Sequence, residues 1–215
     1  MIYAHQLFQS VPHDWPFAKF FSLTQPVHEW IPVIAQALHS FFNACPLDQR
    51  IHSTIPQRLV VQGDVYIGER VLLPQAGTLI GPLYIGDECE LRPNIYLRGN
   101  VIVGKQCVLG HACELKNTLL LDHAQVSHRN YVGDSILGTG AHLGAGCVLS
   151  NLRFDGQEVW MHAPDGQKFP TGLKKLGGIM GDYAEAGCNS VLCPGACLFP
   201  HAKVFPCESF RGTRV

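Results

Sequence analysis

The sequence predicts an all-β solenoid in which three short parallel strands form each turn. The first observation is an aliphatic residue at every sixth position from Ile67 to Leu115. The second is a glycine directly after many of these residues, as in IGERVL, IGDECE and VGKQCV. The third is a small apolar side chain four residues further on, such as Cys89 or Val101. Three such hexads close a triangular turn of about eighteen residues, and each turn must stack on the next to bury its inner face.

The repeat continues with two changes of phase and one interruption. The phase shifts by one residue after Leu115 and again after Val132, and the hexads then run to Leu149. They return in MGDYAE, AGCNSV and LFPHAK, after a polar stretch from Asn151 to Gly178. A long loop inside a regular solenoid is typically functional. We expect this loop to contact a neighbouring subunit.

The first 60 residues lie outside the repeat and predict a helical cap. EWIPVIAQALHSFFNA has the apolar periodicity of one amphipathic helix. We expect this region to cover the open end of the solenoid, where a sheet would otherwise expose unpaired backbone groups. The predicted organisation is a cap at 1–60, a β-helix at 61–207 that carries the loop at 151–178, and a tail at 208–215.

Composition and charge exclude several classes of protein. A chain of 215 residues suits one domain with a small appendage. Charged residues make up 15% of the chain and the net charge is −1, so we expect no binding of nucleic acid or of anionic membranes. No apolar run reaches the ~18 residues of a membrane span, and the first residues do not resemble a signal peptide. We therefore expect a cytoplasmic protein.

The nine cysteines do not indicate a disulfide framework, because their number is odd and there is no secretory signal. No CxxC pair occurs, so the sequence predicts no zinc site. Cysteine can instead act as a small hydrophobic residue in a narrow interior. We expect this packing role for Cys89, Cys107, Cys113 and Cys147.

The stretch ELKNTLLLDHAQVSHRNYVGDSILGTGAHLGAGCVLSNLRFDG carries a specific resemblance. It resembles the acetyltransferase half of bifunctional N-acetylglucosamine-1-phosphate uridyltransferases. It is more similar still to two-domain sugar-1-phosphate nucleotidylyltransferases, whose C-terminal part carries E-x-K-N, H-x-N-Y-x-G-D-S, G-A-G and N-L-R-x-D. The likeness covers about residues 60–207. It implies a left-handed parallel β-helix of hexapeptide repeats, a homotrimer with sites between subunits, acetyl-CoA as co-substrate, and a place in UDP-N-acetylglucosamine biosynthesis.

The resemblance also implies roles for single residues around the sugar. His128 matches the general base of the family, and Tyr131 and Asn151 match sugar-binding positions. The chemistry is consistent, because an amine must lose a proton to attack a thioester and imidazole titrates near neutral pH. His142 stands where the uridyltransferases have an asparagine, and we expect it to bind the substrate at one cleft where it converges with His128, Tyr131 and Asn151.

The phosphate of the sugar is expected at two basic residues. Lys116 matches a lysine that holds this phosphate in the family. Arg98 lies at the coil spacing of the arginine beside it, with Arg92 as an alternative one hexad earlier. An arginine provides a planar fork of donors and a lysine a point charge, and both suit a phosphate.

The coenzyme is expected along the C-terminal coils. Ala145, in the G-A-G motif, matches the position that lines the thioester, where a backbone N–H can stabilise a developing oxyanion. Cys188 lies at the equivalent corner of a later coil. Lys174, Lys175 and Arg211 are candidates for the phosphates of coenzyme A. Phe199 and Phe205 replace corner glycines in this region.

The residues therefore predict an acetyl-CoA-dependent N-acetyltransferase acting on an amino-sugar-1-phosphate similar to glucosamine-1-phosphate. The glycine-rich, lysine-containing fingerprint of the nucleotidyltransferase domain is absent from the 215 residues, so we expect no uridylyl transfer. A non-catalytic module that binds a sugar nucleotide or a partner enzyme is one alternative, and it is favoured by the irregular corners at Leu121, Ser127, Phe199 and Phe205.

A metal enzyme is a second alternative. His123 and His128 are spaced as in γ-class carbonic anhydrases. Those enzymes need a third histidine near position 87, where this chain has Asp87. His111 and His142 are the nearby substitutes. The preferred interpretation uses no metal.

Overall fold

The computed structural model describes residues 1–215 and confirms a parallel β-helix with an N-terminal helix. The helix α1 is Trp30–Ala44, and short 3₁₀ turns lie at Ala4–Gln6, Ala18–Phe20, Val27–Glu29 and Leu47–Gln49. The strands are β1 (Arg58–Gln62), β2 (Val65–Ile67), β3 (Ala76–Ile80), β4 (Leu83–Ile85), β5 (Glu90–Leu91), β6 (Ile95–Val103), β7 (Val108–His111), β8 (Glu114–Leu120), β9 (Gln125–His128), β10 (Tyr131–Gly133), β11 (Ile136–Leu137), β12 (His142–Leu143), β13 (Val148–Leu149), β14 (Trp160–His162), β15 (Lys168–Pro170), β16 (Ile179–Met180), β17 (Glu185–Ala186), β18 (Val191–Leu192), β19 (Cys197–Leu198), β20 (Lys203–Val204), β21 (Ser209–Phe210) and β22 (Thr213–Arg214).

The strands form three faces of a prism. Face 1 contains β1, β3, the first half of β6 and of β8, and then β10, β13, β18 and β21. Face 2 contains β2, β4, the second halves of β6 and β8, and then β11, β16, β19 and β22. Face 3 contains β5, β7, β9, β12, β17 and β20. β6 and β8 bend from face 1 onto face 2, and the pairing between them shifts register at the bend.

The interior of the prism is formed by the residues of the hexads. Aliphatic residues from all three faces, such as Leu97, Val126 and Leu137, are fully buried in one continuous core. The four cysteines expected in this interior are all buried, as predicted, and burial raises the pKa of the Cys147 thiol to about 11. A thiol held in its protonated form is a poor nucleophile, so Cys147 serves packing.

The helical segment lies along a side of the prism, which corrects the expectation that it covers the open end. Trp30, Ile34 and Leu38 pack against the outward side chains of face 2, including Ile102 and Leu119. Face 2 is therefore apolar on both sides, as expected for parallel strands buried from above and below. The hexad pattern records only the inward side chains, so it did not reveal which face the helix would cover.

The loop between β13 and β16 folds back on its own chain. β14 and β15 form an antiparallel hairpin. Met161 and Phe169 of this hairpin are buried in the same apolar cluster as the N-terminal segment, and the rings of His28 and Phe169 are 5.9 Å apart. Phe154 at the tip of the loop is fully exposed. A contact of this tip with a neighbouring subunit stays a prediction.

The coils extend beyond the predicted boundaries at both ends. β1 begins at Arg58, and the bridge between Ile51 and Ile67 starts the stack earlier still. At the other end β21 and β22 pair with β18 and β19, so residues 209–214 belong to the last coil rather than to a free tail. The guanidinium of Arg214 covers the ring of Phe210 at 4.6 Å. The structure contains no helix with the length and apolar character needed to cross a lipid bilayer.

Candidate functional site

The outer surface of face 1 carries most of the residues expected to hold the sugar. Side chains alternate along a strand, so the inward Leu97, Leu115 and Val132 turn their neighbours outward. Arg98 on β6 is in register with Lys116 on β8, and Lys116 is in register with Gly133 on β10. The structure thus stacks positions from three successive coils at the corner where face 1 meets face 2.

The register distinguishes between the two candidate arginines. Arg98 lies beside Lys116, and its guanidinium donates to the Glu114 carboxylate at 2.7 and 2.9 Å. This hydrogen bond raises the pKa of Arg98, so the side chain stays charged. Arg92 lies just beyond β5 and is paired with Glu90 at 2.8 Å. Of the two, only Arg98 has the position expected of a phosphate ligand next to Lys116.

A buried aspartate connects the remaining residues of this corner. Asp134 is 5% exposed and lies on the coil that follows Lys116. It accepts hydrogen bonds from Asn117 Nδ2 at 2.8 Å and from Asn151 Nδ2 at 2.5 Å, and its Oδ2 lies 3.4 Å from Lys116 Nζ. Asn151 also donates to the Tyr131 hydroxyl at 3.3 Å. One carboxylate therefore contacts the predicted phosphate ligand Lys116 and the predicted sugar ligand Asn151, and Asn151 connects it to Tyr131.

Sequence reasoning did not single out Asp134. The G-D-S segment carries a signal that could have identified Asp134. Val132 and Leu137 are five residues apart instead of six, so the corner between them is one residue shorter than a regular corner. Asp134 has the left-handed φ of 48° that such a corner requires. Aspartate and asparagine adopt this backbone conformation more readily than most residues.

Gly133 makes the contact between Tyr131 and Asn151 possible. A Cβ atom on Gly133 would lie 2.5 Å from the Tyr131 hydroxyl and 2.7 Å from Asn151 Nδ2. The ring of Tyr131 therefore lies over Gly133, and any side chain at position 133 would displace this ring. This is the specific reason for a glycine in the Y-V-G-D motif.

We call the recess at this corner the corner pocket. It has a volume of about 360 Å³ and is lined by Arg98, Gly99, Asn100, Lys116, Asn117 and Asp134. Its two cations already have acidic partners, Glu114 for the arginine and Asp134 for the lysine. The pocket is therefore close to neutral and offers directed hydrogen-bond donors rather than excess positive charge.

The other edge of face 1, where it meets face 3, carries the predicted base and thioester positions in one column. The His128 carbonyl accepts from Gly146 N, the Ala145 carbonyl from Asn189 N, and the Cys188 carbonyl from Cys207 N, at 2.8–2.9 Å. These bonds stack His128, Ala145 and Cys188 on consecutive coils. The exposed imidazole of His128 makes no hydrogen bond within the chain.

The backbone at Ala145 has an unused donor. The amides of Gly144, Gly146 and Cys147 all donate to carbonyls of this or a neighbouring coil. The amide of Ala145 has no such partner. Asn130, which is buried, holds the corner in place by accepting from His128 N at 3.0 Å and donating to the Gly144 carbonyl at 2.7 Å. The geometry leaves one free N–H one coil away from an exposed imidazole.

Some predicted residues lie away from this surface. His142 is on face 3, in register with Gln125 and Glu185, so a single chain does not bring it to Tyr131 or Asn151. Lys174 and Lys175 are exposed where the loop returns, and Lys175 bridges to Leu152. No group of three or more histidine, cysteine, aspartate or glutamate side chains is placed to hold a metal.

A second and larger recess lies between the loop and face 1 of the C-terminal coils, and we call it the loop cleft. It has a volume of about 870 Å³. Arg153, Trp160 and Lys168 line it from the loop, and Arg211 lines it from the last coil. Among these, sequence reasoning had identified only Arg211. The hairpin carries Trp160 and Lys168, and the sequence of this hairpin has no hexad periodicity from which its position could be predicted.

A family model described as the GMPPB C-terminal domain matches residues 79–204, which include both edges of face 1.

Three curated relatives illustrate the likeness. The bifunctional sugar-1-phosphate nucleotidylyltransferase/acetyltransferase of Sulfurisphaera tokodaii is 32% identical over 98 residues, which are 46% of this chain and 24% of that protein. The bifunctional protein GlmU of Methanococcus maripaludis strain C7 is 34% identical over 86 residues, 40% of this chain and 20% of the relative. An uncharacterised acetyltransferase of Escherichia coli K12, YaiX, is 32% identical over 98 residues, which are 46% of this chain and 42% of YaiX. The matches thus span a quarter or less of the two bifunctional proteins.

Proposed function

Because the chain belongs to the GMPPB C-terminal domain family, we propose that it transfers the acetyl group of acetyl-CoA to the amino group of an amino-sugar phosphate. Glucosamine-1-phosphate is the simplest such acceptor. The observation that carries the proposal is the arrangement on face 1. An exposed imidazole and a free backbone N–H line one edge, and a hydrogen-bonded network of Tyr131, Asn151 and Asp134 lines the other.

His128 acts as the general base. Its imidazole accepts a proton from the neutral sugar amine as the nitrogen attacks the thioester carbonyl, and a new C–N bond forms. The amide of Ala145 donates to the carbonyl oxygen as negative charge develops there. The C–S bond then breaks, and the proton passes to the departing thiolate.

Tyr131 and Asn151 orient the sugar, and Arg98 and Lys116 bind its phosphate. The partners of these cations support the assignment. Glu114 and Asp134 hold the guanidinium and the ammonium in fixed positions, and such preorganisation lowers the entropic cost of binding. Because the corner pocket is nearly neutral, it binds phosphate through the geometry of its donors more than through net charge.

The working unit in this proposal is a homotrimer. His142 lies on face 3, away from Tyr131 and Asn151 of its own chain, and Phe154 of the loop is fully exposed. Packing of one copy against the next would bring such residues to a neighbouring site. Sedimentation at micromolar concentration tests this assembly, and a monomer would contradict it.

The direct test of the function is thiol release from acetyl-CoA with glucosamine-1-phosphate. We expect His128→Ala to lower kcat by roughly 10²–10⁴, with little change in KM for acetyl-CoA because the base acts on the amine. His111→Ala is the matched control, because His111 is the exposed register partner of His128 on the preceding coil.

Equal rates for wild type and His128→Ala would remove His128 from the mechanism. If neither protein releases thiol, the acetyltransferase assignment fails for these substrates, and the chain is better described as a non-catalytic module that binds a sugar nucleotide.

A further inference from the structure

The loop cleft is the larger of the two recesses described above, and nothing in the proposed mechanism uses most of its lining. Its two walls are held in contact. Gly195 of the coil has a φ of 75°, and a Cβ atom there would lie 2.8 Å from Val159 Cγ1 and 2.9 Å from the Trp160 carbonyl. The hydroxyl of Thr213 in the last coil donates to the His162 carbonyl of the hairpin. The cleft is therefore a built cavity and not a gap beneath a detached loop.

The charge in the loop cleft is unbalanced, in contrast to the corner pocket. Three basic residues line it, Arg153, Lys168 and Arg211, against the single acid Asp155. Asp155 is already paired with Arg153 at 2.5 and 2.9 Å, and this guanidinium holds the pKa of Asp155 well below its usual range. Lys168 and Arg211 form no ion pair within the chain. Two cations on opposite walls are thus available to an anionic ligand.

An aromatic surface lies beside these cations. Trp160 lines the cleft with 45% of its surface exposed, although Met161, the next residue of the same strand, is fully buried. An exposed indole is a platform on which a planar base can stack. A volume of about 870 Å³ falls within the range of small-molecule sites.

We propose that the loop cleft binds a nucleoside diphosphate. Lys168 and Arg211 contact its phosphates from opposite walls, and the base stacks on Trp160. Ser150 lines the cleft and directly precedes Asn151, so a ligand in the cleft reaches the sugar-binding network of face 1. This inference deepens the proposed function, because it assigns the nucleotide part of a substrate to a defined place.

Two sources can supply this chemistry. One is the phosphorylated ADP end of coenzyme A, and the other is the nucleotide of a nucleotide-linked amino sugar. Calorimetry and thermal unfolding of the full chain with coenzyme A, UDP and GDP distinguish them, and inorganic pyrophosphate serves as the probe without a base. A ligand of the native state raises the unfolding temperature by mass action. We expect at least one nucleotide to bind more tightly than pyrophosphate.

The variants separate the two contacts. We expect Arg211→Gln and Lys168→Gln each to weaken nucleotide binding by roughly tenfold, as for the loss of one charge-assisted hydrogen bond. Trp160→Ala should weaken nucleotide binding by a similar factor and abolish the preference for nucleotide over pyrophosphate. Trp160→Phe keeps an aromatic ring and should retain part of this preference. Lys203→Gln is the control, because Lys203 is an exposed cation on face 3.

Preferential binding of coenzyme A identifies the acyl donor as the source, and preferential binding of UDP or GDP identifies a nucleotide-linked acceptor; each supports the proposal. Absence of nucleotide binding up to millimolar concentration overturns it, as does wild-type affinity in both Arg211→Gln and Trp160→Ala. Because binding is measured at equilibrium, a protein that binds nucleotide but releases no thiol retains the cleft and loses only the acetyltransferase assignment.

Discussion

The corner pocket and the loop cleft lie on either side of Asn151 and treat charge in opposite ways. In the corner pocket each cation, Arg98 and Lys116, has an acid from the same or the next coil within reach. In the loop cleft Lys168 and Arg211 have none. The first recess is built from regular coil positions, where register places an acid beside each base. The second is built from an insertion, where no register applies. The regular coils thus form a neutral, preorganised corner pocket, and the inserted loop forms a loop cleft with unpaired positive charge.

The largest difference is expected between the two aspartates of these recesses. Asp134→Ala leaves Lys116 and Asn117 without an acceptor and Asn151 with only the Tyr131 hydroxyl, so the free energy of unfolding should fall by about 2–4 kcal/mol. Asp155→Ala removes the exposed ion pair with Arg153 in the loop cleft and should leave the free energy of unfolding unchanged. Urea unfolding measures both.

Asp134→Asn refines this prediction, because it keeps the size of the side chain and removes the charge. It should cost less stability than Asp134→Ala and raise KM for the sugar phosphate more than it lowers kcat. Similar stabilities for Asp134→Ala and Asp155→Ala would mean that the corner pocket is not preorganised by its carboxylate.

The next effect concerns the close approach at Gly133. Gly133→Ala places a methyl group where the Tyr131 hydroxyl and Asn151 meet, so one of them must move. We expect a stability loss of roughly 1–3 kcal/mol, typical of overpacking, and a rise in KM for the sugar acceptor. Nucleotide binding in the loop cleft should be unaffected.

The double variant Tyr131→Ala/Gly133→Ala should recover the stability lost in Gly133→Ala and not the affinity for the acceptor. Unchanged acceptor kinetics in the single variant would show that Tyr131 and Asn151 do not touch the sugar.

The smallest effect is expected from His28, which packs against Phe169 of the hairpin beneath the loop cleft. Its Nδ1 is buried without a partner, and burial lowers the pKa of His28. The unfolded chain therefore binds this proton more readily than the folded one. Stability is complete above the ordinary pKa of about 6.5 and falls as the pH drops from there through the lowered folded value.

His28→Phe should flatten the pH dependence of unfolding between pH 7 and 5, measured by thermal unfolding in a series of buffers. A curve as steep as that of the wild type would assign the acid sensitivity to other groups.

The sequence determined the solenoid and much of the corner pocket. The family resemblance indicated Lys116 and Tyr131, and the period of six with three repeats per turn stacks Arg98 directly beneath Lys116. The same count places His142 on face 3 in register with Gln125, and this signal in the hexads already argues against the expected convergence of His142 with Asn151.

Only the tertiary structure decided the position of the helix, the role of Asp134 and the existence of the loop cleft. The helix follows the outward side chains of face 2, and these vary independently of the inward residues that make the repeat visible. Asp134 is a polar residue buried by the shortened corner around it. The cleft depends on a hairpin held by contacts with segments more than forty residues away, such as His162 with Thr213. Periodicity encodes interactions between adjacent coils, and contacts between distant segments leave no periodic trace in the sequence.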